Sequence, residues 1–169
     1  MVIALIFFAI PASASDIFPK DLAISKTFQP GYGPPIGRMI LTQGKVLVVH
    51  QEMTPGFPVR KGTRLYKGDT LYTDNRSRAR FKLDDGSIMT LSSLTKLTIN
   101  QSIYNPQKKR RSTFLSLAIG KARFLVTKLF TFRKSAFKVK SGTYVAGVRG
   151  SDFIITQTET KTEVTTLEK

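Results

Sequence analysis

The chain of 169 residues contains no cysteine and only one histidine, His50. The lack of cysteine excludes thiolate zinc sites and cysteine nucleophiles, and it is compatible with an oxidising compartment. A single histidine excludes histidine-rich metal sites, and no nucleophile-elbow motif accompanies His50 to build a Ser-His-Asp triad. A lone histidine at the end of a strand is more often structural than catalytic. We therefore predict that the protein is not an enzyme and uses no cofactor or metal.

Long apolar runs are also missing, apart from one at the N-terminus. Residues 2–10 are all apolar, and the run is too short to cross a bilayer. Pro11 and the A-x-A pattern Ala12-Ser13-Ala14 follow it, which is typical of a signal peptide cleaved after Ala14. We predict a signal peptide over residues 1–14, a periplasmic or secreted protein of a Gram-negative-type envelope, and no integral membrane span. The alternative for this run is a buried strand or a short core helix.

Acidic residues are absent from Gly86 to Ser151, although this segment contains 13 of the lysines and arginines of a chain with net charge +16. An exposed field of this kind attracts polyanions. Lys108 to Arg111 lie in a run, NPQKKRR, that we interpret as a charged loop tip. Further basic residues occupy the polar side of alternating strands and would form one cationic, anion-binding stripe if those strands were neighbours: Arg78, Arg80, Lys82, Lys121, Arg123, Lys138 and Lys140.

The alternative for this stripe is a solvated outer face whose charges block edge-to-edge aggregation. We expect no nucleic-acid recognition, because aromatic residues are poorly interleaved with the basic strands.

Turn and strand signals alternate through most of the chain. Residues 15–38 are rich in proline and glycine and are predicted to be a leader, and residues 39–169 are predicted to be the folded domain. Arg78 to Leu83 alternates strictly between basic and apolar residues, as a half-buried strand does. Such short strands recur every 8 to 12 residues, which predicts a single all-β domain of antiparallel strands, built as a sandwich, a roll or a β-solenoid. Residues 125–132 are ambiguous between a short helix and a wide bulged turn.

Two polar clusters could be mistaken for sites. Asp84 and Asp85 precede a glycine, and we interpret them as formers of a hairpin turn rather than as a metal site or an acid/base pair. The segment Gly147 to Ser151 looks like a phosphate loop, but its glycine spacing is too short and it lacks a lysine. We interpret it as a bulge or a sharp bend in a strand. Its arginine, Arg149, is expected to pair with Asp152 or Asp85.

Three segments carry a resemblance to a known family. KGDTLYTDNRSRARFKLDDGSIMTLSSLTKLTI, LSLAIGKARFLV and FKVKSGTYVAGVRGSDFIIT occur in this order between about Gly44 and Val164, and together they resemble the FecR domain family. The LysM module also contains a KGDTL motif, but it needs helices where this chain has strand signals. The positions that match the family's motifs are Gly68, Asp69, Asp85, Gly86, Ser87, Arg149, Gly150 and Ser151. Ser151 stands where the family usually has threonine.

The resemblance implies an exported, non-enzymatic sensing or scaffold module of the cell envelope that contacts a protein partner, by strand addition at an open sheet edge. The family's prototype also has an anti-sigma segment, a transmembrane helix and a domain that meets an outer-membrane transporter, for which residues 1–169 contain no counterpart. The family's pattern usually continues into one more strand, so we expect the domain to be truncated at its C-terminal end. The alternative function is binding of an anionic envelope polymer or lipid, such as peptidoglycan or lipopolysaccharide, through the basic strand face.

Overall fold

The structure is a computed structural model that describes residues 17–51 and 55–167. The predicted signal peptide lies outside the described residues. The described chain contains strands and no helix. The strands are β1 (Gly37–Gln43), β2 (Val46–Val49), β3 (Phe57–Pro58), β4 (Arg64–Leu65), β5 (Thr70–Thr73), β6 (Arg78–Leu83), β7 (Ile88–Leu91), β8 (Thr95–Asn105), β9 (Arg110–Leu125), β10 (Lys134–Ser141), β11 (Tyr144–Val148), β12 (Asp152–Gln157) and β13 (Thr162–Thr166).

All thirteen strands belong to one curled sheet whose two halves share strand β9. In the half that we call the β6 half, the order is β4-β1-β6-β7-β9-β12-β13. In the other, the β8 half, the order is β3-β2-β5-β8-β9-β10-β11. The predicted single all-β domain is confirmed. Two details differ from the expected short antiparallel strands: β8 and β9 are long, and β10 runs parallel to β9.

The core lies between the two halves because alternate residues of each strand point inward. In β6, Ala79, Phe81 and Leu83 are buried while the residues between them are not, as the alternation predicted. Phe124 of β9 stacks on Phe153 of β12 with 5.1 Å between ring centroids. A single cluster joins these side chains to those of the β8 half. Burial of one such aromatic side chain stabilises the fold by about 1.5–3 kcal/mol.

Strand β9 passes from one half to the other through a bend at Gly120. Strand pairing continues on both sides of this glycine, so β9 is one strand. Gly120 has φ of 101°, and a Cβ there would lie 2.3 Å from Oγ1 of Thr95. Glycine therefore permits both the backbone conformation and the close approach that the bend needs.

The segment predicted to be a leader lies against the sheet. Ile24 forms a β-bridge with Gly56, and the ring of Phe28 packs edge-on against Phe57 at 5.7 Å. The backbone N–H of Ile36 donates to the carbonyl of Leu65, and β1 begins immediately afterwards.

Candidate functional site

Five of the seven predicted stripe residues share the outer face of the β6 half. In a cross-strand row, Arg80 of β6 lies opposite Thr90 of β7, which lies opposite Arg123 of β9. Nε of Arg80 donates to Oγ1 of Thr90 at 3.1 Å. Because alternate residues share a face, the structure brings together Arg78, Arg80, Lys82, Lys121 and Arg123.

The other two residues, Lys138 and Lys140, lie on β10 in the β8 half, opposite Phe114 and Ser116 of β9. Their strand neighbours Phe137 and Val139 are buried in the common core, so the two lysines face away from it. The predicted single stripe is therefore divided between the two halves, because β10 pairs with β9 before the bend and β7 pairs with it after the bend.

The structure adds two cations that sequence patterning missed. Arg38 of β1 lies opposite both Lys82 of β6 and Arg64 of β4, so three like charges stand in one cross-strand row. All three side chains are exposed and line a shallow cavity of about 500 Å³ together with Asp84, whose carboxylate is attracted by Arg38. The two-residue strand β4 is too short to give a periodic signal, which is why sequence alone did not place Arg64 there.

The aspartate of the Asp-Gly turn, Asp85, makes contacts both within the turn and with strand β9. Oδ1 of Asp85 accepts the backbone N–H of Ser87 at 2.9 Å, as a turn residue does. Its Oδ2 accepts a hydrogen bond from Nη1 of Arg111 at 3.2 Å, and both side chains are fully buried. The same Nη1 donates to the carbonyl of Thr127 at 2.8 Å, and Nε of Arg111 donates to Oγ of Ser135 at 3.0 Å. The motif residue Asp85 therefore holds a buried ion pair between the two halves of the sheet.

Two sequence predictions are corrected by this ion pair. Arg111 is not part of a charged loop tip, because β9 already begins at Arg110 and Arg111 is only 1% exposed. Arg149 does not pair with either predicted aspartate: it is exposed, and Asp152 accepts hydrogen bonds from Arg123 at 2.8 and 2.5 Å. A signal for Arg111 exists in the sequence, since it has the same parity along the strand as the buried residues Leu115 and Leu117.

The Gly-Asp motif contacts the single histidine. Gly68 makes the turn with φ of 85°, and Oδ1 of Asp69 lies 2.6 Å from Nδ1 of His50. Nε2 of His50 lies 2.7 Å from the carbonyl oxygen of Gln29, and Oδ2 of Asp69 accepts the N–H of Tyr66. Burial lowers the pKa of His50, but the hydrogen bond and the charge of Asp69 outweigh burial, and the pKa is raised. The pair therefore fastens the segment around Gln29 to the domain.

One side of the curled sheet is open. Within the described residues four strands have a single partner: the two-residue strands β3 and β4, and the longer strands β11 and β13, which pair only with β10 and β12 respectively. By strand pairing, Tyr144 of β11 and Val164 of β13 lie on the inward face of the sheet, opposite buried residues of the neighbouring strands. Their side chains are nevertheless 65% and 55% exposed. Val145 of β11 is 57% exposed. The exposed part of β11 is apolar and uncharged, which is unusual for an edge strand.

No set of side chains suited to catalysis is found within residues 17–51 and 55–167. The same residues contain no group of three histidine, cysteine, aspartate or glutamate residues that could hold a metal ion. They also contain no helix long and apolar enough to span a membrane. The described residues form basic outer faces, a free apolar strand edge, and buried ion pairs that link separate segments of the fold.

The fold is that of a single-domain all-β module. A family model described as "FecR protein" matches residues 69–168, and the chain belongs to this family. No curated protein and no solved structure matches the chain. The FecR family is an envelope-associated regulatory family with a role in sensing and signal transduction through partner proteins, and it is not an enzyme family.

Proposed function

We propose that this domain is exported and works as a sensing or scaffold module of the cell envelope, by accepting an extended segment of a protein partner at the free edge of β11. The observation that carries the proposal is the exposed, uncharged edge formed by Tyr144–Val148. Main-chain hydrogen bonds along such an edge supply affinity, and alternate side chains supply specificity.

The free edge of β13, the other terminal strand of more than two residues, differs in a way that favours β11. Lys161, just before β13, forms an ion pair with Glu163 of that strand, and charges of this kind protect an edge from pairing. β11 has no charged residue. Its hairpin partner β10 exposes Lys138 and Lys140, and the chain has no acidic residue from Gly86 to Ser151. A partner segment that alternates apolar and acidic residues would therefore complement this edge.

The test compares two exposed valines, one on the free edge of β11 and one on the free edge of β13. The full chain would be used to capture proteins from envelope extract, in parallel with Val145→Lys and Val164→Lys, whose side chains are 57% and 55% exposed in the wild type. We expect saturable recovery of a protein that the Val145→Lys variant loses and the Val164→Lys variant keeps. Hydrogen exchange of the complex should show new protection of the β11 amides. Recovery of no protein above background, or equal loss in both variants, would reject the proposal.

The second candidate function is binding of peptidoglycan or lipopolysaccharide through the basic outer face of the β6 half. The observation behind it is the five basic residues that this face brings together. Because β6 and β9 carry the face and β10 does not, Arg78→Glu with Lys121→Glu should abolish salt-sensitive binding, whereas Lys138→Glu with Lys140→Glu should not. Unchanged binding in the first double variant would eliminate this candidate.

A further inference from the structure

A cavity of about 350 Å³ lies where the β9–β10 loop meets the segment between β11 and β12. The loop, residues 126–133, covers most of the segment 125–132 that was ambiguous in sequence, and it contains no helix. The cavity joins this loop to the Arg149-Gly150 part of the family motif, which no contact described above explains. Its lining consists of Lys128, Leu129, Phe130, Phe132, Arg133, Ser135, Arg149 and Gly150.

The charges around this cavity are all positive. Lys128, Arg133 and Arg149 have exposed side chains, and none of them forms an ion pair with another described residue. No carboxylate lines the cavity, and the acidic residue nearest in sequence, Asp152, is bound by Arg123. Three uncompensated cations that converge on one cavity repel each other, and a bound anion would remove that repulsion.

The lining residue Ser135 has a polar donor that remains unused. Oγ of Ser135 accepts from Nε of Arg111, and its own proton has no acceptor among the described residues. Nη2 of Arg111 is buried and has no hydrogen-bond partner. Because Nε and Nη2 lie along one edge of the planar guanidinium, the unpartnered donor lies on the edge that faces Ser135. The cavity thus presents the Ser135 hydroxyl, which is held by the buried Arg111 of the Arg111–Asp85 ion pair, to a ligand that accepts hydrogen bonds.

Gly150 and the aromatic residues shape the walls. Gly150 has φ of 143°, and a Cβ there would lie 2.1 Å from Cγ of Lys128, so glycine allows the two segments to meet. The ring of Phe132 stacks on Tyr104 at 5.7 Å, whereas Phe130 is 90% exposed at the rim. An exposed phenylalanine beside three cations favours a ligand that carries an apolar or aromatic group next to its charge.

We propose that this cavity binds a phosphate group attached to an apolar or aromatic moiety. Phosphate fits better than a single carboxylate because it offers several acceptor oxygens to Lys128, Arg133, Arg149 and the Ser135 hydroxyl at once. Such a group could belong to a soluble phosphoester or to the headgroup of an anionic phospholipid. The site is separate from the β11 edge and from the basic face of the β6 half, so it does not depend on the proposed function.

The experiment titrates the full chain with phenyl phosphate at low salt, followed by NMR or calorimetry. We expect saturable binding that weakens about tenfold or more, that is, by at least about 1.4 kcal/mol, in Arg133→Gln with Arg149→Gln, because the variant loses two charged groups that bind the phosphate. The control, Lys138→Gln with Lys140→Gln, removes the same charge from the neighbouring strand and should leave the dissociation constant within about twofold. Both pairs are exposed, so equal thermal midpoints would show that the variants fold.

A second arm distinguishes the two sources of the phosphate. The same proteins would be sedimented with vesicles of phosphatidylcholine alone and with vesicles that contain phosphatidylglycerol. Binding to the anionic vesicles that the Arg133/Arg149 variant loses identifies a lipid headgroup, and saturable phenyl phosphate binding without vesicle binding identifies a soluble phosphoester. The proposal is overturned if neither probe binds, or if the control variant weakens binding as much as the cavity variant does.

Discussion

Nη1 of Arg111 and Oδ2 of Asp85 meet at 3.2 Å inside the protein, with both side chains excluded from solvent. Arg111 belongs to β9 where that strand is part of the β8 half, and Asp85 lies in the turn between β6 and β7. The guanidinium also lies over the ring of Phe137, 5.7 Å from its centroid. Replacing one partner of such a pair leaves the other charge buried and uncompensated.

We predict that Asp85→Ala destabilises the protein by about 3–5 kcal/mol, because Arg111 would lose the one counter-charge that it has among the described residues. Equilibrium unfolding in urea measures this difference. The matched control is Asp84→Ala, which changes the adjacent but exposed aspartate and should cost less than about 1 kcal/mol. Similar losses in the two variants would contradict a structural role of the buried pair.

We predict that stability falls as the pH rises from about 6 to about 9. Both ring nitrogens of His50 face hydrogen-bond acceptors, Asp69 and the Gln29 carbonyl. A neutral imidazole has only one N–H to donate, whereas the protonated imidazole has two, so the folded state favours the protonated ring. The pKa of His50 is raised above its ordinary value of 6.5, so its contribution is fully present below that value and is lost as the pH rises through the folded-state pKa. Urea unfolding at several pH values measures the effect.

The variant that checks this pH dependence is Asp69→Asn, which keeps an acceptor for Tyr66 but removes the charge that favours the protonated imidazole. In this variant the free energy of unfolding should change less between about pH 6 and about pH 9 than it does in the wild type. Asp74→Asn is the control, because this aspartate accepts the N–H of Asn75, lies 3.8 Å from Lys45 at the surface and does not contact His50, and it should keep the wild-type pH dependence. A wild-type protein equally stable at both ends of this range would refute the assignment.

We predict that Gly120→Ala destabilises the protein more than Gly62→Ala does. Both glycines have positive φ, 101° and 90°, so both substitutions carry backbone strain of about 1–2 kcal/mol. Only the new Cβ at Gly120 would meet Thr95, at 2.3 Å from Oγ1, whereas nothing lies within 4 Å of the corresponding position at Gly62. Thermal or urea unfolding of the two variants checks the difference, and equal losses would mean that β9 relaxes easily at its bend.

We predict that Arg64→Glu stabilises the protein by a few tenths of a kcal/mol, up to about 1 kcal/mol at low salt. The substitution places a negative charge opposite Arg38, which now has positive neighbours on both sides, Arg64 and Lys82. Arg60→Glu, an exposed residue outside the row, is the control for the change in net charge. Unfolding measured at low and high salt should show the gain disappear as salt increases.

The elements predicted best from the sequence are those with strict alternation. Arg78 to Leu83, between an Asp-Asn turn and an Asp-Gly turn, is found as β6 with the expected buried face. Local alternation reports which face of a strand is buried, so Arg80 and Lys82 were placed correctly on the outer face. It does not report which strands are neighbours, and for this reason the single seven-residue stripe became two surfaces.

The residues that escaped prediction depend on long-range pairing. Arg111 was interpreted as part of a basic run because its counter-charge, Asp85, is 26 positions away in a turn with its own local explanation. His50 and Asp69 are separated by 19 positions, and the sequence around each residue gives no sign that their side chains are in contact. The cavity around Arg149 combines a loop with no periodicity and a motif whose glycine was predicted only as a bend.

The shared strand β9 has a consequence for how the protein unfolds. It is hydrogen-bonded to β8 and β10 before its bend, and to β7 and β12 after it. Neither half can open without exposing an edge of β9 to water, so the halves should lose structure in a single cooperative step rather than one after the other. Amide protons at the centre of β9 should then exchange with solvent only when the whole domain opens, which makes this strand the slowest-exchanging segment of the chain.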